Sequence, residues 1–189
     1  MNRKRMQGVY VVEFAIIGLL LFTLLFGVLE MGRLYFTVNA LNETVRRGAR
    51  LAAVCDIRDT DILRRAIFNE AGNSGDGVSR LIYSLETAHL TLTYLDENGG
   101  VVANPGPLDD FSAIRYVQLS INGPDPDPDA PSSIKKFTFD LLIPGFGMTI
   151  TLPTFRATLP RESLGRHAEG AQPFDKPDAL AGALGVTPC

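Results

Sequence analysis

Val9-Tyr10-Val11-Val12-Glu13-Phe14-Ala15-Ile16-Ile17-Gly18-Leu19-Leu20-Leu21-Phe22-Thr23-Leu24-Leu25-Phe26-Gly27-Val28-Leu29 is an apolar run of 21 residues that contains a single charge, at position 13. At about 1.5 Å of rise per residue, a helix of this length covers roughly 30 Å, the hydrocarbon thickness of a bilayer. A helix buried in a soluble core is the competing reading. Such helices carry a polar face, however, and from Phe14 to Leu29 only Gly18, Thr23 and Gly27 interrupt the large apolar side chains. The run therefore reads as a membrane-spanning helix. Arg3, Lys4 and Arg5 precede it with no acidic residue beside them. The bias of positive charge toward the cytoplasm then predicts a cytoplasmic N-terminus and an exported remainder after Leu29. The run exceeds the usual apolar core of a cleaved secretory signal and ends in Phe26-Gly27-Val28-Leu29-Glu30, without a small-x-small site, so the span is expected to stay attached to the domain it leads.

A carboxylate near the middle of a span costs about 2.5 to 3.5 kcal/mol on insertion scales, and less toward an interface. Glu13 is tolerable at that cost, either because its carboxylate snorkels to the cytoplasmic headgroups or because a partner neutralises it.

Beyond the span the helical period continues. Leu34, Val38, Leu41, Val45, Gly48 and Ala52 recur at spacings of three and four, with Asn42, Glu43, Arg46, Arg47 and Arg50 off that stripe. One helix is expected from Val9 to about Val54. Glu43 stands three and four residues before Arg46 and Arg47, pairs that add about 0.2 to 0.5 kcal/mol each on an exposed helix. Gly48, Ala49, Ala52 and Ala53 permit close backbone approach, so the sheet of the same chain or a second helix is expected to press there. Simple helix propensity also explains the alanines. Arg46, Arg47 and Arg50 either contact an acidic face of a partner or are solvated.

A second, short amphipathic helix is predicted from Asp59 to Gly72, with Asp59 or Thr60 as the capping residue and the glycine as its stop. The period then changes to two. Leu90, Leu92 and Tyr94 alternate with His89, Thr91 and Thr93, and Asp96-Glu97-Asn98-Gly99-Gly100 supplies a turn before Val101-Val102. Arg115 to Ile121, Phe137 to Leu141, and Met148 to Leu152 give three more alternating runs, the last extended through Phe155 and Ala157. The fold class expected is α+β: a long N-terminal transmembrane helix extended into a stalk, a short helix, and a small antiparallel sheet forming a head. The organisation read from this is a basic leader over 1–8, the transmembrane and stalk helix over 9–54, a periplasmic α+β head over 55–160, and a loosely ordered tail over 161–189.

The chain has 189 residues and a net charge of −3, which suits one modest exported domain and gives no basic excess for nucleic acid. Asn122-Gly123-Pro124-Asp125-Pro126-Asp127-Pro128-Asp129-Ala130-Pro131 alternates proline with aspartate. It lacks the glycine hinge and closing glutamate of a calcium loop and reads as a stiff polyproline-like connector rather than a cation site. Cys55 and Cys189 both fall on the exported side, where a disulfide between them would pin the tail to the end of the long helix. His89 and His167 are far apart in sequence and show no metal-ligand spacing, and His89 reads as a solvated strand position. No phosphate loop or paired nucleophile and base is recognisable, so no catalytic residue, metal or cofactor is assigned and an enzyme is not expected.

Gly8, four mostly apolar residues, Glu13, Phe14 and a long apolar run, behind Arg3-Lys4-Arg5, resemble a type IV prepilin signal. Gly32-Arg33-Leu34-Tyr35, Asn39-Ala40-Leu41 and Arg46-Arg47-Gly48-Ala49-Arg50-Leu51-Ala52-Ala53-Val54 resemble the TadE-like family, pilin-like proteins of the tight-adherence (Flp) pilus machinery. The resemblance covers about the first 54 residues. It implies cleavage by a prepilin peptidase after Gly8, which leaves Val9 as the new N-terminus. It also implies a partner for Glu13, the α-amino group of Val9 on a neighbouring subunit. The partners implied are the inner membrane, the peptidase, other pilin-like subunits and the pilus assembly platform. The role implied is that of a minor component that initiates, tips or anchors a fibre, since a major Flp-type subunit is far shorter. Two other readings stay open at this point: an uncleaved single-pass anchor with a periplasmic protein-binding head in a secretion system, and a membrane-tethered hydrolase.

Overall fold

The computed structural model describes residues 3–70, 77–82, 84–103, 105, 108–123, 135–142 and 148–165. Helix α1 runs over Arg3–Val54, 52 residues without a break. No proline precedes Pro105, so no backbone N–H is missing from its ladder. It starts six residues before the expected Val9, because Arg3, Lys4, Arg5, Met6 and Gln7 are all good helix formers and the basic leader simply continues the helix.

The chain divides into two compact units, Met1–Val38 with Phe139–Ile150, and Asn39–Thr138 with Thr151–Cys189. The first holds the apolar part of α1 and all but the outer ends of the short pair β3 (Thr138–Asp140) and β4 (Thr149–Thr151), which form a two-stranded sheet. Both strands are only three residues long, shorter than the alternating runs from Phe137 and Met148 suggest.

The second unit holds the rest of α1, then α2 (Asp61–Ala66), a 3-10 turn (Thr87–His89), β1 (Leu90–Leu95), α3 (Leu108–Ala113), β2 (Tyr116–Ile121) and β5 (Phe155–Pro160). Its sheet has the order β1-β2-β5, antiparallel throughout, with Leu92 opposite Leu119 and Leu119 opposite Ala157. The turn after β1 forms as the sequence indicates. The Asp96 carboxylate accepts the N–H groups of Asn98 and Gly100, Gly99 supplies a positive φ, and Val102 N–H returns to the Tyr94 carbonyl. The described residues thus make an α+β fold of one long apolar helix, short helices and small antiparallel sheets.

On β2, Val117, Leu119 and Ile121 point to one face and are fully buried, as the period of a strand requires. The buried face of α1 is Leu41, Val45, Gly48, Ala49 and Ala52, and Gly48 is in contact with Leu119. Gly48 decides how close the two come. A Cβ there would overlap the Leu119 side chain and stand 2.8 Å from the Ala66 Cβ of α2. The leucine can rotate away, but the alanine Cβ is fixed to its backbone. Both expected neighbours, sheet and second helix, therefore press on the same residue.

Four features differ from the sequence-based expectation. Helix α2 is one and a half turns long and stops at Ala66, well before Gly72, because Phe68 takes the left-handed conformation with φ 67°. Phe68 and Asn69 donate to the Arg65 and Arg64 carbonyls, closing the helix in a Schellman pattern without a glycine. At the other end Thr60 makes no side-chain cap, and the Asp59 carboxylate takes the Asp61 N–H instead. Second, β5 is not a continuation of β4. It belongs to the other sheet, since Pro153 between them cannot supply a ladder N–H. Asn122 closes this corner from a left-handed conformation, its amide bonding the Phe137 N–H and the Phe137 and Leu152 carbonyls. Third, residues 161–165 are not loose. Glu162 and Leu164 donate to the Ala53 carbonyl and Gly165 to that of Val54, so this segment satisfies carbonyls that the end of α1 leaves open.

Fourth, His89 is not a solvated strand residue. It is 3% exposed, its ring meets Phe137 edge-on at 5.5 Å, and its Nδ1 accepts the Glu86 N–H at 2.8 Å. The 3-10 turn before β1 rotates it inward. Burial holds its pKa below the usual imidazole value, opposed by the charge of Glu86, which itself pairs with Lys135 at 3.0 Å.

Gly48→Ala is expected to cost the second unit about 1 to 3 kcal/mol through overpacking. Gly18→Ala, with nothing within 4 Å of its Cβ position, is expected to be neutral. Thermal unfolding of the full chain in detergent distinguishes the two. Because the folded pKa of His89 lies below the unfolded value of about 6.5, its contribution to stability is complete above that pH and is lost as pH falls toward the folded value. Denaturant titrations between about pH 7 and about pH 5 should show that loss, and His89→Gln should flatten it.

Candidate functional site

The apolar part of α1 has no protein around it. Its most apolar window is unburied throughout, and the helix is long and apolar enough to cross a membrane. Phe14, Leu19, Leu20, Val28 and Leu29 are all exposed on it, and they face in every direction around its axis. Burying such a side chain is worth about 1.5 to 3 kcal/mol, so a surface of this size in water would be strongly unfavourable.

Glu13 lies within this surface. It stands one turn from Val9, and the two share a shallow depression with Gly8, Val12 and Ile16. Gly8 has open space where a Cβ would be. Phe14, next to Glu13 in sequence, is turned about 100° from it by the helix and is exposed as well. Among the described residues no cation pairs with Glu13. Chemically, the arrangement is an acceptor-only group, a carboxylate, on an otherwise apolar and open helix face.

Further along α1, Arg46, Arg47 and Arg50 are exposed, as their place off the apolar stripe requires. The Arg47 guanidinium lies 5.3 Å from the centre of the Phe68 ring. None of the ion pairs among the described residues involves Glu43, so the two helical pairs read for it do not form. Cys55 is buried beside Ala52, Ala53, Ile62 and Leu164 and is held in a disulfide, while Cys189 lies outside the described residues. His167, the proline-aspartate segment over 124–131 and the tail beyond Gly165 lie outside them too.

A second charged locus is one that the sequence patterns did not single out. Glu30 and Arg33 form a two-pronged ion pair at 2.8 and 3.0 Å directly after the apolar run. The Glu30 side chain is only 11% exposed. Arg33 also donates to the Asp140 carbonyl at 2.7 Å and lies 4.5 Å from the Phe139 ring centre, and Leu142 N–H donates to the Glu30 carboxylate at 3.3 Å. The spacing of three between opposite charges was the available signal. What they hold comes from more than 100 residues away and carries no mark in the local pattern.

No three His, Cys, Asp or Glu side chains gather around a cation position among the described residues. Tyr94 has a buried hydroxyl without a hydrogen-bond partner there, and burial, reinforced by the charge of Asp56, makes it harder still to ionise. It therefore remains a neutral core residue at physiological pH.

No curated protein and no solved structure matches the chain. A family model does match, that of the TadE-like protein, over residues 8–50. That interval holds the apolar run, Glu13, the Glu30–Arg33 pair and the arginine-rich turn up to Arg50. Over this segment the chain is similar to the TadE-like family.

Proposed function

We propose that the protein is a minor structural component in assembly of a Tad (Flp) pilus. Val9 to Leu29 crosses the bacterial inner membrane with the N-terminus in the cytoplasm, and the α+β unit lies in the periplasm. A prepilin peptidase cuts after Gly8, and the mature chain joins other pilin-like subunits and the assembly platform by helix-to-helix packing. The observation that carries this reading is Glu13, a carboxylate without an ion-pair partner among the described residues, on a fully exposed apolar helix inside the family-matched segment. A carboxylate in hydrocarbon is stabilised most by a close positive charge. Cleavage at Gly8 creates one, the α-amino group of Val9, and a neighbouring copy brings that amine to Glu13.

The remaining assignments derive from assembly rather than catalysis. Arg46, Arg47 and Arg50 form an exposed basic face available to an acidic partner, although Arg47 also serves the chain itself through Phe68. Cys189 is proposed as the partner of Cys55, tying the end of the chain to the end of α1 in an oxidising compartment. No cofactor takes part.

Mass spectrometry of the N-terminus, in cells with and without the peptidase, tests the central step. A chain beginning at Val9 only where the peptidase is present supports it. An intact Met1 in competent cells leaves the uncleaved anchor with a protein-binding periplasmic unit. Gly8→Asp is expected to block the cut. Glu13→Ala is expected to insert as well as the parent or better, since it removes a cost of about 2.5 to 3.5 kcal/mol at most, and to be lost from sheared fibres or subunit crosslinks. Equal incorporation of both forms rules out a pairing role for Glu13. In the same preparations, a mass lower by two hydrogens before reduction is expected for the intact chain if Cys55 and Cys189 are joined.

A further inference from the structure

The hairpin β3–β4 is fixed to α1 at a level that its own chemistry does not explain. Asp140 is bonded at Arg33 and Leu142 at Glu30, so as β3 leaves its strand the chain moves three residues back along the helix, toward the apolar run. Three helical residues amount to about 4.5 Å of descent, and Glu30 is the residue immediately after Leu29. Leu142, held at that level, is 70% exposed. Met148 is 57% exposed, and its carbonyl accepts the Leu141 N–H, which keeps it beside Leu142 across the hairpin. Two large apolar side chains are thus exposed beside an attachment that is charged and only partly buried. The contrast with Phe139 is direct, since that side chain is 3% exposed under the Arg33 guanidinium one position from the attachment.

We infer that Leu142 and Met148 dip into the interfacial layer of the bilayer on the side where α1 emerges, making these two side chains a second membrane contact. This rests on the reading that Val9 to Leu29 spans the membrane. The occupant is set by continuity: the hairpin and the span belong to one compact unit, and the lipid that covers Val28 and Leu29 continues outward past Glu30. Elements that lie in an interface bury apolar side chains about 5 to 10 Å below the headgroups while backbone and charges stay at the polar level, the division seen here. Met31, Tyr35 and Phe36 on α1 are exposed at neighbouring levels, and aromatic residues favour that layer. Glu30 and Arg33 satisfy each other there, so their attachment of the hairpin carries no net charge into it.

The chain contains no tryptophan, which makes a clean test possible. Leu142→Trp and Met148→Trp, each the single tryptophan of the full chain in bilayer nanodiscs, are expected to emit at shorter wavelength than tryptophan in water. They should also be quenched more by lipids brominated high on the acyl chain than by those brominated near its end. Leu21→Trp, within the span, should show the opposite depth order. Combining Leu142→Trp with Arg33→Gln should shift emission back toward that of water, because the hairpin loses its bond at Asp140. Water-like emission from both hairpin positions, with Leu21→Trp quenched by deep bromine, overturns the inference and leaves the span intact. Failure of Leu21→Trp to respond to any brominated lipid overturns the span itself. Unchanged lipid quenching in the Arg33→Gln background overturns the role given to the attachment.

Discussion

Contact between the C-terminal part of α1 and the β1-β2-β5 sheet depends on Gly48 having no side chain. Leu119 projects from the middle strand into the space a Cβ would take, and Ala66 closes that space from the side of α2. Around this contact Leu41, Val45, Ala49 and Ala52 on the helix and Val117, Leu119 and Ile121 on the strand are all removed from water. The cluster of Cys55, Ile62, Tyr94, Ile114 and Leu164 fills the end of the same contact. A larger residue at 48 would move the helix outward and thin all of these contacts together, since a core this small has no second layer to absorb the shift. The helix carries its smallest residues where the sheet is closest, so the glycine that is costly by propensity is favourable by packing.

The same helix meets two different surroundings along its length. Up to Leu29 its large side chains are uncovered, and from Thr37 and Ala40 onward the inward face is closed by the chain's own residues. The C-terminal part of α1 satisfies its apolar face internally because a sheet is supplied to it. The apolar run up to Leu29 is not covered by any described residue, and its length and composition suit hydrocarbon. Glu13 is the exception inside that medium. Its cost there is a few kcal/mol, comparable with the stability margin of a small domain, so a site that relieves it exerts real leverage on where the helix resides.

The parts of this structure legible in the sequence are those governed by short-range period. The apolar run, the stripe continuing through Ala52, the alternation in β1 and β2 and the glycine turn at Asp96 to Gly100 are all patterns within a dozen residues, and each forms where its pattern stands. The misreadings share another cause. His89 sits beside threonines in a pattern that suggests a wet strand edge, but a 3-10 turn shifts its phase and Phe137, from far along the chain, covers it. Helix α2 runs toward a glycine that it never reaches, because Phe68 accepts a left-handed backbone while its ring receives Arg47. Arg161 to Gly165 looks like the start of a formless tail, and only the open carbonyls at the end of α1 give it a place. Of the candidate site, the carboxylate, the glycine and their spacing were legible, whereas the Glu30–Arg33 attachment was not, since its other half is a strand pair placed by tertiary structure.

The family match ends at Arg50, inside α1 and before any residue of the sheet. That boundary has a physical meaning. The matched segment contains a surface that no described residue covers, from Gly8 to Leu29, and a small-residue face the chain does satisfy, around Gly48. The first constrains sequence tightly, because length, apolarity and the position of one carboxylate must all suit an environment the protein does not itself supply. The second asks only that some strand bring an apolar side chain to the glycine, a demand many unrelated sheets can meet. A match confined to the helix is consistent with these two demands.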